Sequence, residues 1–183
     1  MNRTLRASLG AAVAFVLAGC STPSLNGIPE SARVRLDGLE GVWISDDTVV
    51  HIEESEDTLY LLKTAGFRTG VQLAIAQIDG KHVADATIDE DSAERADEVL
   101  LSFVIPVHKF AHLDLEGDTL KYVQLDEDWI GANAAGAGLA KVGDANVLTG
   151  DESQVLSLLT RALKDEDAWD SRSTFTRLIE GED

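Results

Sequence analysis

The stretch "TGVQLAIAQIDGKHVADATI", residues Thr69 to Ile88, indicates the fold class. Val71, Leu73 and Ile75 alternate with the residues between them, and alternation over several residues predicts a β-strand with two distinct faces. Gly80 then turns the chain into a second run of strand-like composition, Lys81 to Ile88. The stretch therefore predicts two consecutive strands of an antiparallel meander.

Similar short runs separated by turn residues extend to both sides of this hairpin. They cover residues 41–45, 48–54, 58–65, 99–107, 108–115 and 119–125. The clearest turn is Glu116-Gly117-Asp118, between the last two runs. Together the runs predict a mainly β domain, an antiparallel meander or barrel of about eight strands.

The hydrophobic period changes after residue 125. Residues 126–139 suggest a short helix, and Thr149 to Asp167 form the strongest helical pattern, with Thr149 and Glu152 spaced as a capping box. The last run, Ser173 to Ile179, returns to strand composition. We therefore expect a C-terminal helix followed by a short final strand.

Gly41-Val42-Trp43, at the start of the first strand, resembles the G-x-W signature of the lipocalins. The resemblance implies a closed eight-stranded barrel in which Trp43 plugs one end and Arg177 packs over the tryptophan. It also implies an interior that binds a small apolar ligand. An open barrel is the alternative architecture.

Four aromatic residues are the candidate lining of such a ligand pocket: Trp43, Phe103, Phe110 and Tyr122. Aromatic side chains in short strands also pack as ordinary core residues, which is the competing interpretation.

The N-terminus has the layout of an export signal. Arg3 and Arg6 precede an apolar run, residues 7–17, that is too short to span a bilayer. Leu17 to Cys20 ("LAGC") resembles the lipobox of bacterial lipoproteins, which implies a diacylglycerol thioether on Cys20 and cleavage between Gly19 and Cys20. An ordinary secretory signal with a chance cysteine is the alternative.

The lipobox interpretation divides the chain into a signal peptide (1–19), a lipidated N-terminus with a flexible tether (20–38) and one β-rich domain (39–183). Residues 21–32 ("STPSLNGIPESA") have linker composition and would reach about 40 Å if extended. Ser21 after the cysteine implies sorting to the outer membrane in lipoproteins of this type. We expect a protein of the bacterial envelope that is anchored to this membrane and faces the periplasm.

The charge restricts the partners. The chain carries 33 acidic and 15 basic residues, a net charge of −18, which becomes −20 once Arg3 and Arg6 are removed with the signal. This balance excludes nucleic acid as a partner and opposes binding flat on an anionic lipid surface. A basic protein partner remains compatible, and so does a solvated acidic surface without a partner.

No motif for catalysis, a cofactor or a metal site is present. The chain lacks G-x-S-x-G, a P-loop and G-x-G-x-x-G, and its acidic clusters lack the spacing of a calcium loop. His108 and His112 lie in strand sequence, where four residues span about 13 Å, too far to share one ion. The sequence favours a binding module for a small apolar ligand. The alternative is a non-enzymatic interaction protein, and a hydrolase ranks third.

Overall fold

Eight antiparallel strands close into a barrel in the computed structural model, which describes residues 22–46, 48–56, 58–66, 70–89, 107–143 and 145–179. The strands are β1 (Gly41–Ser45), β2 (Thr48–Glu54), β3 (Leu59–Thr64), β4 (Val71–Ile78), β5 (Lys81–Ile88), β6 (Lys109–Glu116), β7 (Thr119–Leu125), β8 (Leu139–Val142), β9 (Ala145–Leu148) and β10 (Trp169–Arg177). Strands β8 and β9 form a separate hairpin, and the other eight form the barrel. The prediction of a mainly β fold with about eight meander strands is confirmed.

Strands β1 to β6 each pair with the next strand in the chain, and β7 pairs with β10, which follows the β8–β9 hairpin in the chain. Strand β1 closes the barrel by pairing with both β2 and β10. The β4–β5 hairpin follows the predicted pattern, since Ile78 pairs with Lys81 across a two-residue turn. Asp79 and Gly80 both adopt positive φ, as such a hairpin turn requires.

The eighth barrel strand differs from the prediction. A strand was predicted at residues 99–107, and its residues 99–106 lie outside the described part of the chain. The barrel is instead completed after the helices by β10, which begins at Trp169 rather than at Ser173. A register shift between Asp170 and Arg172 breaks the alternation there, so the first part of the strand lacks the usual pattern.

Two α-helices lie in the insertion between β7 and β10. Helix α1 spans Glu127–Asn133 and helix α2 spans Glu152–Ala162. The predicted capping box at Thr149 and Glu152 is wrong by two residues, because Asp151 caps α2 and Gln154 completes the box. The Thr149 hydroxyl donates instead to the Gly138 carbonyl at 3.0 Å.

Apolar side chains form two clusters, one on each side of the barrel wall. The inner cluster lies inside the barrel; its largest buried members are Trp43, Tyr60 and Ile75. The outer cluster packs the helices and the N-terminal segment against the outer faces of β4 to β7; it includes Ile28, Phe110, Leu125, Leu148 and Leu158. Alternate residues of β4 and β5 therefore face different cores.

The N-terminal segment, residues 22–38, is packed rather than flexible, which corrects the tether expected from its composition. Ser24 exchanges backbone hydrogen bonds with His108 at 2.9 and 2.8 Å, and Leu25 N donates to Leu148 O at 2.9 Å. Thr22, Ser24 and Ile28 are buried. These backbone groups find partners in the folded domain, so the segment belongs to the domain.

The same segment then covers one end of the barrel. Val34 N donates to Ile75 O at 2.7 Å, and Leu36 N donates to the Tyr60 hydroxyl at 2.8 Å. Leu36 and Leu39 pack with the inner cluster. We call this the covered end. The opposite end carries the β1–β2, β3–β4, β5–β6 and β7–β10 connections.

Candidate functional site

Trp43 and Arg177 seal the covered end. The Trp43 side chain is fully buried, and its Nε1 donates to Leu39 O at 2.8 Å. The Arg177 guanidinium lies over the Trp43 ring at 4.3 Å from the centroid and donates to the carbonyls of Gly38 and Glu40. The contact that the lipocalin resemblance implied between these two side chains is present.

Gly41 is required by this arrangement. Its φ of +132° lies in the region that favours glycine, and a Cβ at this position would collide with the Arg177 guanidinium. The glycine therefore leaves room for the cation over the indole ring. The glycine of Gly41-Val42-Trp43 therefore has a steric explanation.

Some inward-facing side chains of the barrel are only partly buried. Leu62, Tyr122 and Phe175 pack with the inner cluster yet keep partly accessible side chains. Leu62 on β3 and Tyr122 on β7 lie on opposite walls, because four steps around the barrel separate these strands in either direction. Ser173 faces the same side as its partner Tyr122 and is also partly accessible.

Tyr122 supplies a polar group in this apolar setting. Burial raises the pKa of the Tyr122 phenol to about 12, and the hydrogen bond with the Gln124 side chain acts weakly in the opposite direction. The phenol is therefore neutral at physiological pH and can donate or accept a hydrogen bond. An apolar interior with one or two polar groups is typical of small-molecule sites.

The four predicted pocket residues are not all brought together. Trp43 and Tyr122 belong to the inner cluster, while Phe110 is buried in the outer cluster, on the other side of the wall. Phe103 lies outside the described residues, and so do Gly19 and Cys20. The structure adds Leu62, Ser173 and Phe175 to the inward-facing set.

Outside the barrel wall, Asp85 forms a buried polar contact that the sequence did not indicate. Its carboxylate accepts from Ile28 N at 2.8 Å and contacts His108 Nδ1 at 2.8 Å. Gly27 packs so closely that a Cβ would overlap both side chains. This contact holds the N-terminal segment on the barrel wall.

His112 has a different environment from His108. Its ring packs against Trp169 at 5.7 Å, and burial lowers its pKa, with the positive charge of Lys81 adding to the effect. Among the described residues, no three His, Cys, Asp or Glu side chains converge as a metal site would require.

Within the described part of the chain, no helix has both the length and the apolar character needed to cross a bilayer. No family model, curated protein or solved structure matches this chain.

Proposed function

We propose that this chain is a lipid-anchored envelope protein whose barrel binds a small apolar ligand. One observation carries the proposal of binding: the inward-facing side chains Leu62 and Tyr122, on opposite walls of a closed barrel, are only partly buried. An eight-stranded barrel is wide enough either to be filled by side chains or to hold one small ligand. The accessible inner surfaces favour the second arrangement.

The character of the surface suggests the ligand class. Leu62 and Phe175 offer apolar contact, and the neutral Tyr122 hydroxyl with Gln124 offers hydrogen bonds to a single polar head. A fatty acid or a similar lipid fragment fits this combination. The proposal of anchoring is supported by the "LAGC" sequence at Leu17 to Cys20.

The test of binding uses two adjacent positions on β10. Ser173 faces the interior, whereas Thr174 pairs with Lys121 on the outer face and is exposed. We expect Ser173→Leu to occupy the space beside Tyr122 and weaken binding of a fluorescent fatty acid at least tenfold. Thr174→Leu should bind like the wild type.

Two further measurements complete this test. Native mass spectrometry of the lipoprotein purified from its host should show a co-purifying mass of lipid size. Cys20→Ala should release the protein from the membrane fraction. Equal binding by Ser173→Leu and Thr174→Leu would contradict a ligand in the barrel. A bare protein with no affinity for lipid probes would favour the alternative, an acidic interaction protein that docks a basic partner.

A further inference from the structure

Very few residues separate the proposed anchor position from the folded domain. Thr22 and Ser24 are already buried, and Ser24 is hydrogen-bonded to His108. Only Ser21 separates Cys20 from Thr22 in the sequence. Two Cα–Cα steps span at most about 7 Å, so an anchored Cys20 would bring the bilayer surface close to Thr22.

The direction of the segment identifies which element lies beside the anchor. Ser24 and Leu148 of β9 form a parallel bridge. The step back along the chain from Ser24 to Thr22 therefore points in the same direction as the step back along β9 from Leu148 to Ala145. Ala145 begins β9 at the tip of the β8–β9 hairpin. The tip is about 10 Å from Leu148 at the ordinary rise of a strand.

The tip has a surface suited to a membrane interface. Val142 is 67% exposed, the most exposed large apolar side chain of the described residues, and Lys141 beside it is also exposed. Gly143, with a φ of +63°, makes the turn that projects them. An apolar side chain next to a lysine can enter the interface while the ammonium stays at the headgroups.

We infer that the β8–β9 tip, at Lys141 and Val142, is the membrane contact of this protein. The inference rests on the proposed lipidation of Cys20. The high net negative charge disfavours broad contact with anionic lipid, so we expect contact at the part of the domain beside the anchor. A single weak contact is enough to orient the domain, because the anchor keeps the tip at high local concentration near the bilayer.

The single cysteine makes a clean experiment available. In the processed lipoprotein the Cys20 sulfur is a thioether, so Val142→Cys introduces the only free thiol for an environment-sensitive fluorophore. The labelled lipoprotein is placed in nanodiscs of phosphatidylethanolamine and phosphatidylglycerol that carry acyl-chain nitroxides. We expect the label at residue 142 to lose about half of its fluorescence. The matched control is Glu56→Cys on the exposed connection after β2, the strand on the opposite side of the barrel from β6, and it should lose almost none.

A second variant lengthens the connection between the anchor and the domain without changing the β8–β9 tip. About ten Gly and Ser residues inserted between Ser21 and Thr22 add roughly 35 Å of reach, and quenching at residue 142 should fall toward that of the Glu56→Cys control. Equal quenching at residues 142 and 56 in a protein whose mass includes the acyl chains would overturn the inference and leave the anchor intact. A mass without acyl chains, with label on Cys20, would overturn the anchor and the inference together.

Discussion

The two apolar clusters differ in how completely they are closed. In the outer cluster Ile130, Leu148, Leu158 and Leu159 have no accessible surface, and the helices and the N-terminal segment cover the strands. The inner cluster is sealed at Trp43 but contains partly accessible side chains such as Tyr122. The outer cluster therefore has more fully buried members than the inner one.

This division explains the sequence of the central strands. Strands β4 and β5 are buried on both faces, since Ile75 and Ala84 face the barrel while Ala76 and Val83 face the helices. The outer cluster therefore adds buried apolar surface to that of the barrel interior. A barrel without the helical insertion would have only its interior for a core.

The largest expected effect compares the same substitution in the two clusters. Leu158→Ala removes a fully buried side chain from helix α2 and should lower the free energy of unfolding by about 2–5 kcal/mol. Leu62→Ala removes a partly accessible side chain from the barrel interior and should cost about 1–2 kcal/mol. Urea unfolding of both variants measures the difference. Equal losses would mean that the interior is as tightly packed as the outer cluster.

A smaller effect tests whether the N-terminal segment belongs to the outer cluster. Gly27→Ala places a methyl group against the Asp85 carboxylate and the His108 ring, so it should cost roughly 2–4 kcal/mol through overpacking and weakened hydrogen bonds. Gly136→Ala is the control, because a Cβ added there would meet no side chain or other segment within 4 Å and its φ is not positive.

Hydrogen exchange gives this test a local readout. In Gly27→Ala the amides of Ser24 and Ile28 should exchange faster, while that of Val155 in helix α2 keeps its protection at matched global stability. Unchanged protection at Ser24 and Ile28 would show that the segment is held by other contacts.

The sequence predicted the meander well because its signal is local. Strands β5 and β7 begin and end where the pattern of turn residues places them, and the Gly117 turn lies between β6 and β7 as expected. The β8–β9 hairpin was missed because each strand has only four residues. The Gly143-Asp144 pair between them was the available turn signal.

The apolar character of Phe110 does not indicate which face of strand β6 its side chain occupies. A strand covered on both faces can bury an aromatic residue on either side. Phe110 shares its face with His112 and Asp114, whereas Ala111 and Leu113 face the barrel. That parity indicated the outer face, although only the helical insertion explains why an aromatic residue is buried there.

The N-terminal segment shows the limit of composition as a guide. Serine and glycine are frequent in linkers, but here Ser24 is hydrogen-bonded to His108, its neighbour Leu25 is hydrogen-bonded to Leu148, and Gly27 allows close approach to Asp85. These contacts join residues that are far apart in the chain, so no local pattern predicts them. The signal and anchor at residues 1–20 stay predictions from the sequence.

The smallest expected effect concerns the polarity of the barrel interior. Burial raises the pKa of Tyr122 to about 12, above the value of about 10 for an unfolded chain, so the folded state holds this proton more tightly. The stabilisation of the protonated form is complete below pH 10 and is lost as the pH rises from 10 to 12. Two pKa units correspond to at most about 2–3 kcal/mol, and partial accessibility reduces this figure.

Tyr122→Phe removes the titrating group and should flatten the decline in unfolding free energy between pH 10 and 12, as measured by urea unfolding at successive pH values. A bound fatty acid should raise the Tyr122 pKa further, because it displaces water and adds a nearby negative charge. Absorbance titration with and without the ligand measures this shift. A pKa that does not move on saturation would place the ligand away from Tyr122, and the interior around Leu62 and Phe175 would then need to be tested separately.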